Sequence, residues 1–351
     1  MGGDKAPGEV VAGCVDASRR LDELPGVEQI IMVGREEAMR AELAKCRASL
    51  GPTLGFVAAS ETIDMDEAPA QAVRSKKDNS LTRGMELVKS GEVQAMVSAG
   101  NSGAFAAAAL FTLGRIKGVH RPVIATVLPS RTGRPIVVAD AGANVDCKPE
   151  WLAQFAIMGS AYSEKVIGAG PRPKVGLMSI GTEESKGNEF THQAFPYVRD
   201  SGVNFIGNME GHDVLRGEID VCVCDGFVGN IILKTVESTA MGIAHWLKVM
   251  VKSSVFSMIG ALFMYGAFKK LKRRMDPEVY GGAILLGVDG NCIVTHGAAT
   301  RRTIFNAIKV AADANSNALA PTIAARIAEH DAKVAVAAAA ADTAQTSQNA
   351  K

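Results

Sequence analysis

A lysine in a loop of small polar residues is the residue whose position most strongly indicates chemistry. Lys186 lies in residues 179–189 (Ser-Ile-Gly-Thr-Glu-Glu-Ser-Lys-Gly-Asn-Glu). An apolar run at 174–180 precedes it, and the following segment, 189–200, can be helical at least as far as Pro196. At such a strand-to-helix loop, backbone N–H groups and an ammonium group together suit a phosphate or another oxyanion. The alternative is a solvated surface lysine. The candidate binding residues of this loop are Gly181, Thr182, Glu184 and Asn188.

Three more loops of small polar residues follow predicted strands. They are residues 98–104 (Ser-Ala-Gly-Asn-Ser-Gly-Ala), 140–144 (Asp-Ala-Gly-Ala-Asn) and 225–230 (Asp-Gly-Phe-Val-Gly-Asn). Because loops after the strands of a parallel sheet converge, we expect all four loops to line one cleft. The alternative for each loop is an ordinary turn or a helix N-cap. The candidate residues are Asn230 for catalysis and, for substrate binding, Gly100, Asn101, Ser102, Gly103, Asp140, Asn144, Asp225 and Gly229.

His296 is the candidate for proton transfer. It follows a predicted strand at 291–295 and precedes Gly297, so its imidazole can orient or protonate a substrate oxygen. The alternative is a structural histidine at a strand end. No Cys/His cluster has zinc spacing, and we predict neither a metal nor a cofactor.

Absent motifs and the bulk composition argue against several classes of protein. No Gly-x-Gly-x-x-Gly follows a strand, and neither Gly-x-x-x-x-Gly-Lys-Ser/Thr nor Gly-x-Ser-x-Gly occurs, so dinucleotide, P-loop and serine-hydrolase chemistry lack support. The net charge of +1 gives no global basic field for nucleic acid. Six cysteines without a Cys-x-x-Cys pair, and no secretory signal, favour a reduced cytoplasmic setting.

The elements that must position these loops alternate along the chain. Strands are predicted at 29–33, 54–58, 94–98, 123–128, 136–140, 174–180, 203–206, 219–224, 283–286 and 291–295, with helices such as 36–49, 81–90, 104–114, 149–162 and 230–251 between them. This alternation predicts an α/β fold with a mostly parallel sheet covered on both faces, in a single domain over 1–330. Residues 334–351 are alanine-rich with no large apolar residue after Val336, which predicts a disordered tail or a frayed helix.

A short apolar segment followed by cations indicates contact with a membrane surface. Residues 255–268 are apolar or small, and five of the next six residues are Lys or Arg. This run is shorter than the roughly 20 residues that span a bilayer, so we expect it to lie in the headgroup layer of an anionic membrane. A core or dimer-interface helix with a cationic end is the alternative. The candidate membrane contacts are Val255, Phe256, Ile259, Leu262, Phe263, Lys269 and Lys270.

Taken as a set, these loops resemble the bacterial phosphate acyltransferases of phospholipid synthesis, the PlsX family. The motifs that carry the resemblance lie at 1–7 (Met-Gly-Gly-Asp-Lys-Ala-Pro), 98–104, 181–189, 204–211 (Asn-Phe-Ile-Gly-Asn-Met-Glu-Gly), 224–230, 280–283 and 296–297. They extend from Met1 to about Ala312, and several long motifs in one order make the resemblance specific.

The resemblance implies a homodimeric three-layer α/β/α sandwich, similar to phosphotransacetylases and the isocitrate dehydrogenase group, with a protruding helical hairpin at 255–274. It implies a cytoplasmic enzyme that associates peripherally with the inner face of the cell membrane. The implied reaction is the reversible transfer of a fatty acyl group from acyl-(acyl carrier protein) to inorganic phosphate. The acyl-phosphate product then feeds a glycerol-3-phosphate acyltransferase.

In the implied reaction phosphate attacks the thioester carbonyl directly, and two oxyanions must be stabilised. We expect Lys186 to neutralise one of them, Asn188 and Asn230 to donate hydrogen bonds, and residues 100–103 to cradle an oxyanion. His296 would handle the proton. Residues 269–274, or Arg301 with Arg302, would dock the acidic carrier protein.

The chain departs from the family pattern in two places. Family chains usually carry a strand before the Met-Gly-Gly-Asp turn, and the absence of this strand would expose part of a parallel sheet. Ser102 stands where threonine is common.

Two other functions fit parts of the pattern. One is a phosphotransacetylase acting on a coenzyme A thioester, and the other is a non-catalytic, membrane-recruited module that binds acyl carrier protein.

Overall fold

The computed structural model describes residues 2–274 and 277–349. Apolar runs form the strands, and each run predicted from the sequence is found, with ends that differ by up to three residues. The strands are β1 (Ile30–Gly34), β2 (Leu54–Ala58), β3 (Ala95–Ser98), β4 (Val123–Leu128), β5 (Ile136–Ala139), β6 (Lys174–Met178), β7 (Asn204–Met209), β8 (Val221–Val223), β9 (Ala283–Leu286) and β10 (Asn291–Val294).

Twelve α-helices connect and cover these strands within the described residues. They are α1 (Gly8–Ser18), α2 (Glu36–Lys45), α3 (Pro69–Ser75), α4 (Ser80–Ser90), α5 (Ser102–Thr112), α6 (Trp151–Tyr162), α7 (Glu189–Arg199), α8 (Gly226–Lys252), α9 (Val255–Phe263), α10 (Tyr265–Arg274), α11 (Arg301–Ser316) and α12 (Leu319–Asn349). Helix α7 continues past Pro196 to Arg199. The backbone of α12 runs helically through most of the predicted tail, and disorder there stays a prediction.

The main sheet has eight strands in the order β3-β10-β9-β4-β5-β8-β6-β7, and β1 and β2 form a separate parallel pair. Strand β9 is antiparallel to β10 and to β4, and β4 is antiparallel to β5. The direction of the chain therefore reverses in the middle of the sheet. Strands β5, β6, β7 and β8 end at one edge, and β3, β4 and β10 end at the opposite edge.

Strand β5 shows how both faces of the sheet are covered. Its four residues are fully buried and alternate between two apolar clusters. Val137 and Ala139 pack in the cluster that contains helix α6, whereas Ile136 and Val138 pack in the cluster that contains the first half of α8. Because side chains of a strand alternate between faces, helices cover both sides, as a three-layer α/β/α fold requires.

A cavity of about 610 Å³ separates the two sheets. It is lined by the first four residues of β1 and by all four residues of β3. Within the described residues β1 pairs only with β2, and β3 pairs only with β10. The chain passes the carboxyl end of β3 at Gly3, where an added Cβ would lie 2.7 Å from the carbonyl oxygen of Ala99. This is the region in which the resemblance to the family predicts one more strand.

The hairpin formed by α9 and α10 follows the 27-residue helix α8, which is about 40 Å long. Helix α9 bends away from α8 by 118°. The side chains of Phe256 and Phe263 are 87% and 86% exposed. Within the described residues no single helix combines the length and apolar composition needed to cross a membrane, although the bent pair α8 and α9 together meets that test.

Candidate active site

Lys186 lies in a tight loop after β6. Its backbone N–H donates to the carbonyl oxygen of Glu183 at 3.0 Å, and the hydroxyl of Ser179 donates to the carbonyl oxygen of Lys186 at 3.1 Å. The lysine side chain crosses Gly181, where an added Cβ would come within 2.7 Å of the lysine Cγ. The side chain is exposed, and the described part of the chain offers its ammonium group no hydrogen-bond or ion-pair partner. A cation in this position is available to an anionic ligand.

Asn208 holds this loop from the neighbouring strand β7. Its Nδ2 donates to the carbonyl oxygens of Glu183 at 2.8 Å and Lys186 at 3.4 Å. The residue is 7% exposed, and its Oδ1 is buried without a partner among the described residues. Asn208 is not among the residues predicted for the site, because the predicted strand ends at 206 whereas β7 continues to Met209. A polar residue inside the 204–211 motif, where the apolar pattern stops, was the available signal.

Asn188 is the N-cap of helix α7. Its Oδ1 accepts the backbone N–H of Thr191 at 2.9 Å, and the Thr191 hydroxyl accepts the N–H of Asn188 at 2.8 Å. This reciprocal capping fixes the end of the Lys186 loop. Thr182 and Glu184 lie exposed on the same loop.

Asp140 organises the turn after β5. Its carboxylate accepts five N–H groups, from the backbone of Ile124, Gly142, Ala143 and Asn144 and from Nδ2 of Asn144, at 2.6–3.2 Å. Burial raises the pKa of Asp140, and the hydrogen bonds from the turn oppose that rise. Since its oxygens are already occupied, Asp140 shapes the turn, and the structure gives it no free atom for a substrate.

The 140–144 turn packs directly on the first turn of α8. Asp225 caps this helix by accepting the N–H of Val228 at 2.8 Å, and the N–H of Gly226 donates to the carbonyl oxygen of Asn144 at 2.7 Å. An added Cβ at Gly229 would lie 1.8 Å from the carbonyl oxygen of Asp140, so only glycine fits there. Asn230 is exposed beside Gly142.

These loops meet at one edge of the sheet because β5, β8, β6 and β7 are neighbours that run in the same direction. We call this the lysine edge. The 140–144 turn and the Lys186 loop are two strand spacings apart, or about 10 Å. The positive end of the α8 dipole and the Lys186 ammonium group both favour an anion there.

The other two predicted sites lie at the opposite edge, which we call the histidine edge. Asn101 is buried there. Its Oδ1 caps α5 by accepting the N–H of Ala104 at 3.0 Å, and its Nδ2 donates to carbonyl oxygens of the 64–67 segment. Gly100, Ser102 and Gly103 belong to the same turn. His296 is exposed, and its Nδ1 accepts the N–H of Ala298 at 3.1 Å.

The prediction of one cleft lined by all four loops is therefore wrong for a single copy of the chain. Strands β3 and β10 run opposite to β5, β6 and β8, since β9 and β4 reverse the direction of the sheet. His296 follows β10, which lies three strand spacings (about 14 Å) from β5 and runs in the opposite direction. The structure brings Lys186, Asn188, Asp140, Asn144, Asp225 and Asn230 to the lysine edge, and leaves His296 and Asn101 at the histidine edge.

Comparisons with known proteins identify close relatives. The family model described as "Fatty acid synthesis protein" matches residues 1–321. A phosphate acyltransferase from Pelotomaculum thermopropionicum is 46% identical over 335 residues, which cover 95% of each chain. A phosphate acyltransferase from Nostoc punctiforme is 47% identical over 319 residues, which cover 90% of this chain and 92% of the relative.

Among solved structures, a phosphotransacetylase from Streptococcus pyogenes matches with a TM-score of 0.60 over 87% of this chain and 91% of its own. Its sequence is 19% identical, so the match shows the fold alone. The predicted α/β fold and the predicted enzyme class, a transferase, are confirmed. With its motifs, its family match and its identity to relatives over nearly their full lengths, this chain belongs to the fatty acid synthesis protein family, the PlsX phosphate acyltransferases.

Proposed function

We propose that the protein transfers a fatty acyl group from acyl-(acyl carrier protein) to inorganic phosphate, giving acyl-phosphate and free carrier protein. The observation that carries this proposal is the exposed Lys186 ammonium group, which has no partner among the described residues and stands on a hydrogen-bonded loop at the same edge as the first turn of α8. Relatives named phosphate acyltransferase support phosphate as the acceptor.

The lysine edge suits direct attack of phosphate on the thioester. A phosphate oxygen forms a bond to the carbonyl carbon, the carbon–sulfur bond breaks, and the thiolate leaves and takes a proton from water. Lys186 would neutralise the phosphate or the developing oxyanion, and Asn230 would donate a hydrogen bond. Holding both reactants at one edge supplies the entropic part of the acceleration. In one copy of the chain this step does not use His296, whose role in proton transfer stays a prediction.

Delivery of the product to a membrane is the second part of the proposal. The exposed phenylalanines of α9 form an apolar surface. The exposed Lys269 and Lys270 of α10, which follows directly, add cations to it. This arrangement suits the headgroup layer of an anionic membrane, where an acyl-phosphate would pass to a glycerol-3-phosphate acyltransferase. A phosphotransacetylase acting on a soluble coenzyme A thioester has no need of such a surface, which makes it the second candidate.

A homodimer is the third part. Met241, Trp246 and Met250 lie on the second half of α8, beyond the residues that pack on the sheet, and each is about two-thirds exposed. Phe227 and Ile231, nearer the start of the same helix, are also exposed, and a second copy that packs along α8 would cover part of this apolar surface.

The test is acyl-phosphate formation from palmitoyl-(acyl carrier protein) and phosphate, beside palmitoyl-coenzyme A. We expect product from the carrier-protein substrate, and a loss of roughly 100-fold in kcat for Lys186→Ala, the usual effect of removing one preorganised oxyanion partner. Lys333→Ala, which removes an exposed lysine on α12, is the matched control. A loss below about tenfold in folded Lys186→Ala protein would remove the central role of the lysine. Faster turnover of the coenzyme A thioester would favour the second candidate.

A further inference from the structure

A basic groove adjoins the candidate active site. It has a volume of about 450 Å³ and lies between the end of α5, the start of β4 and the start of α6. Its polar and aromatic lining consists of Arg115, His120, Arg121, Lys148 and Trp151. These residues come from two parts of the chain, 115–121 and 148–151, and neither part carries a recognisable motif.

The positive charge of this groove is poorly compensated. Within the described ranges, 2–274 and 277–349, neither Arg115 nor Arg121 forms an ion pair with a carboxylate, and Lys148 reaches Glu150 only at 4.0 Å. Arg115 donates to the carbonyl oxygen of His120. The guanidinium carbon of Arg121 lies 4.9 Å from the centre of the Trp151 ring. Stacking on tryptophan holds the guanidinium in place and leaves its N–H edge able to bind a carboxylate.

The groove shares a wall with the lysine edge. Nδ2 of Asn144 donates to the carbonyl oxygen of Pro122 at 2.8 Å, and Pro122 lines the groove. Strand β4 starts at this edge because it is antiparallel to β5. From β4 to β6 there are three strand spacings, so the groove lies about 14 Å from the Lys186 loop. A bulky partner in the groove can therefore extend a flexible arm to Lys186 without covering it.

We propose that this groove docks an acidic surface of the carrier protein that brings the acyl thioester. The inference rests on the proposed function and selects a docking surface for it. Two other surfaces were expected from the sequence. Residues 269–274 belong to the hairpin proposed to contact the membrane. The charge of Arg301 is already neutralised, since its guanidinium pairs with Asp16 at 2.5 and 2.7 Å and its backbone N–H donates to Glu9. Arginine and tryptophan side by side are also the residues most enriched at the energetic centres of protein interfaces.

The test uses the double variant Arg115→Glu/Arg121→Glu. Its matched control is Arg131→Glu/Arg134→Glu, which reverses two exposed arginines that follow β4 at the histidine edge. The first readout is the affinity of holo-(acyl carrier protein), measured by calorimetry at low salt. We expect the groove variant to lose at least about tenfold and the control to stay within about twofold, because charge complementarity is local. Added salt should weaken wild-type binding and leave the groove variant almost unchanged.

The second readout separates docking from chemistry. With palmitoyl-(acyl carrier protein), we expect the groove variant to raise KM and leave kcat within about twofold of wild type. Equal affinities for the groove and control variants, or no wild-type binding at low salt, would overturn the groove as the docking surface even if acyl-phosphate is made. Loss of binding in the groove variant, with no acyl-phosphate made by wild type, would keep the groove and reject the proposed reaction.

Discussion

Three polar side chains at the lysine edge hydrogen-bond the backbone of the site. Asp140 accepts N–H groups of its own turn, Asn188 caps α7, and Asn208 donates to two carbonyl oxygens of the Lys186 loop. The bonds of Asn188 and Asn208 hold the loop that carries Lys186, and those of Asp140 hold the neighbouring turn. A cation that must meet a developing charge is effective only when its position is set before the reaction, so the supporting residues belong to the site's function.

Replacing Asn208 by alanine is expected to slow turnover without unfolding the protein. The change removes two hydrogen bonds, which costs about 1–2 kcal/mol in the free energy of unfolding, and releases the turn that carries Lys186. We expect kcat to fall by about tenfold or more, as with other residues that hold a catalytic group in position.

The control is Asn204→Ala on the same strand, which removes a hydrogen bond to the carbonyl oxygen of Arg172 at 3.1 Å. Unfolding midpoints and kcat are measured for both variants. If they lose similar stability and also similar activity, Asn208 has no special link to Lys186.

At the scale of elements, the apolar runs predict every strand of the sheet but not the direction in which each one runs. The spacing between strands carries that signal. Only residues 129–135 separate β4 from β5, and only residues 287–290 separate β9 from β10. A parallel pair needs a crossover of a dozen or more residues, so both connections must be antiparallel hairpins. The lengths of these two connections therefore indicate, from the sequence alone, that the sheet is mixed and that its strand-end loops divide between two edges.

The sequence indicates which polar residues lie at the site, but not which groups they bind. A polar residue after a buried strand indicates that a hydrogen bond forms, but the partner depends on which backbone groups the fold leaves unpaired. Asp140 and Asn101 each accept hydrogen bonds from backbone N–H groups of their own turns, whereas Lys186 has no such partner among the described residues. Local sequence patterns did not predict the basic groove, because its two arginines lie in the loop before β4 and Trp151 lies at the start of α6.

The cavity between β1 and β3 leads to a prediction about one element. Five or six residues rich in Val and Ile, added ahead of Met1, would enter at Gly3 and pair with both strands. Burying such side chains stabilises by about 1.5–3 kcal/mol each, against about 1–2 kcal/mol for fixing each residue's backbone, so a modest net gain is expected. The midpoint of thermal unfolding should rise by several degrees.

An extension of the same length with alternate residues changed to aspartate is the comparison, since a strand buried on both faces tolerates few charges. Equal midpoints for the two extensions would show that the cavity does not take a strand.

At the scale of the whole molecule, the charge is too evenly balanced to attract a membrane. With 38 basic and 37 acidic residues, any attraction must come from a local surface. The hairpin provides one, since its apolar side chains project from the far end of α8 and its cations follow directly. The exposed apolar residues on the second half of α8 lie between the hairpin and the sheet, so a dimer formed through α8 would carry two hairpins and bind a membrane through both.

The variant Phe256→Asp/Phe263→Asp is expected to abolish membrane binding and to leave the chemistry intact. We expect wild-type protein to float with vesicles of anionic lipid and to have twice the 36.7 kDa mass of the chain by light scattering. The double variant should keep that mass and keep its activity on soluble acyl-(acyl carrier protein) within about twofold, since neither residue is near the lysine edge. Its vesicle binding should fall by more than about tenfold, because each buried phenylalanine contributes about 1.5–3 kcal/mol. Leu50→Asp, which alters an exposed apolar residue before β2, controls for a general effect of added charge. Undiminished flotation of the double variant would remove the hairpin as the membrane contact, and a wild-type mass of one chain would reject the dimer.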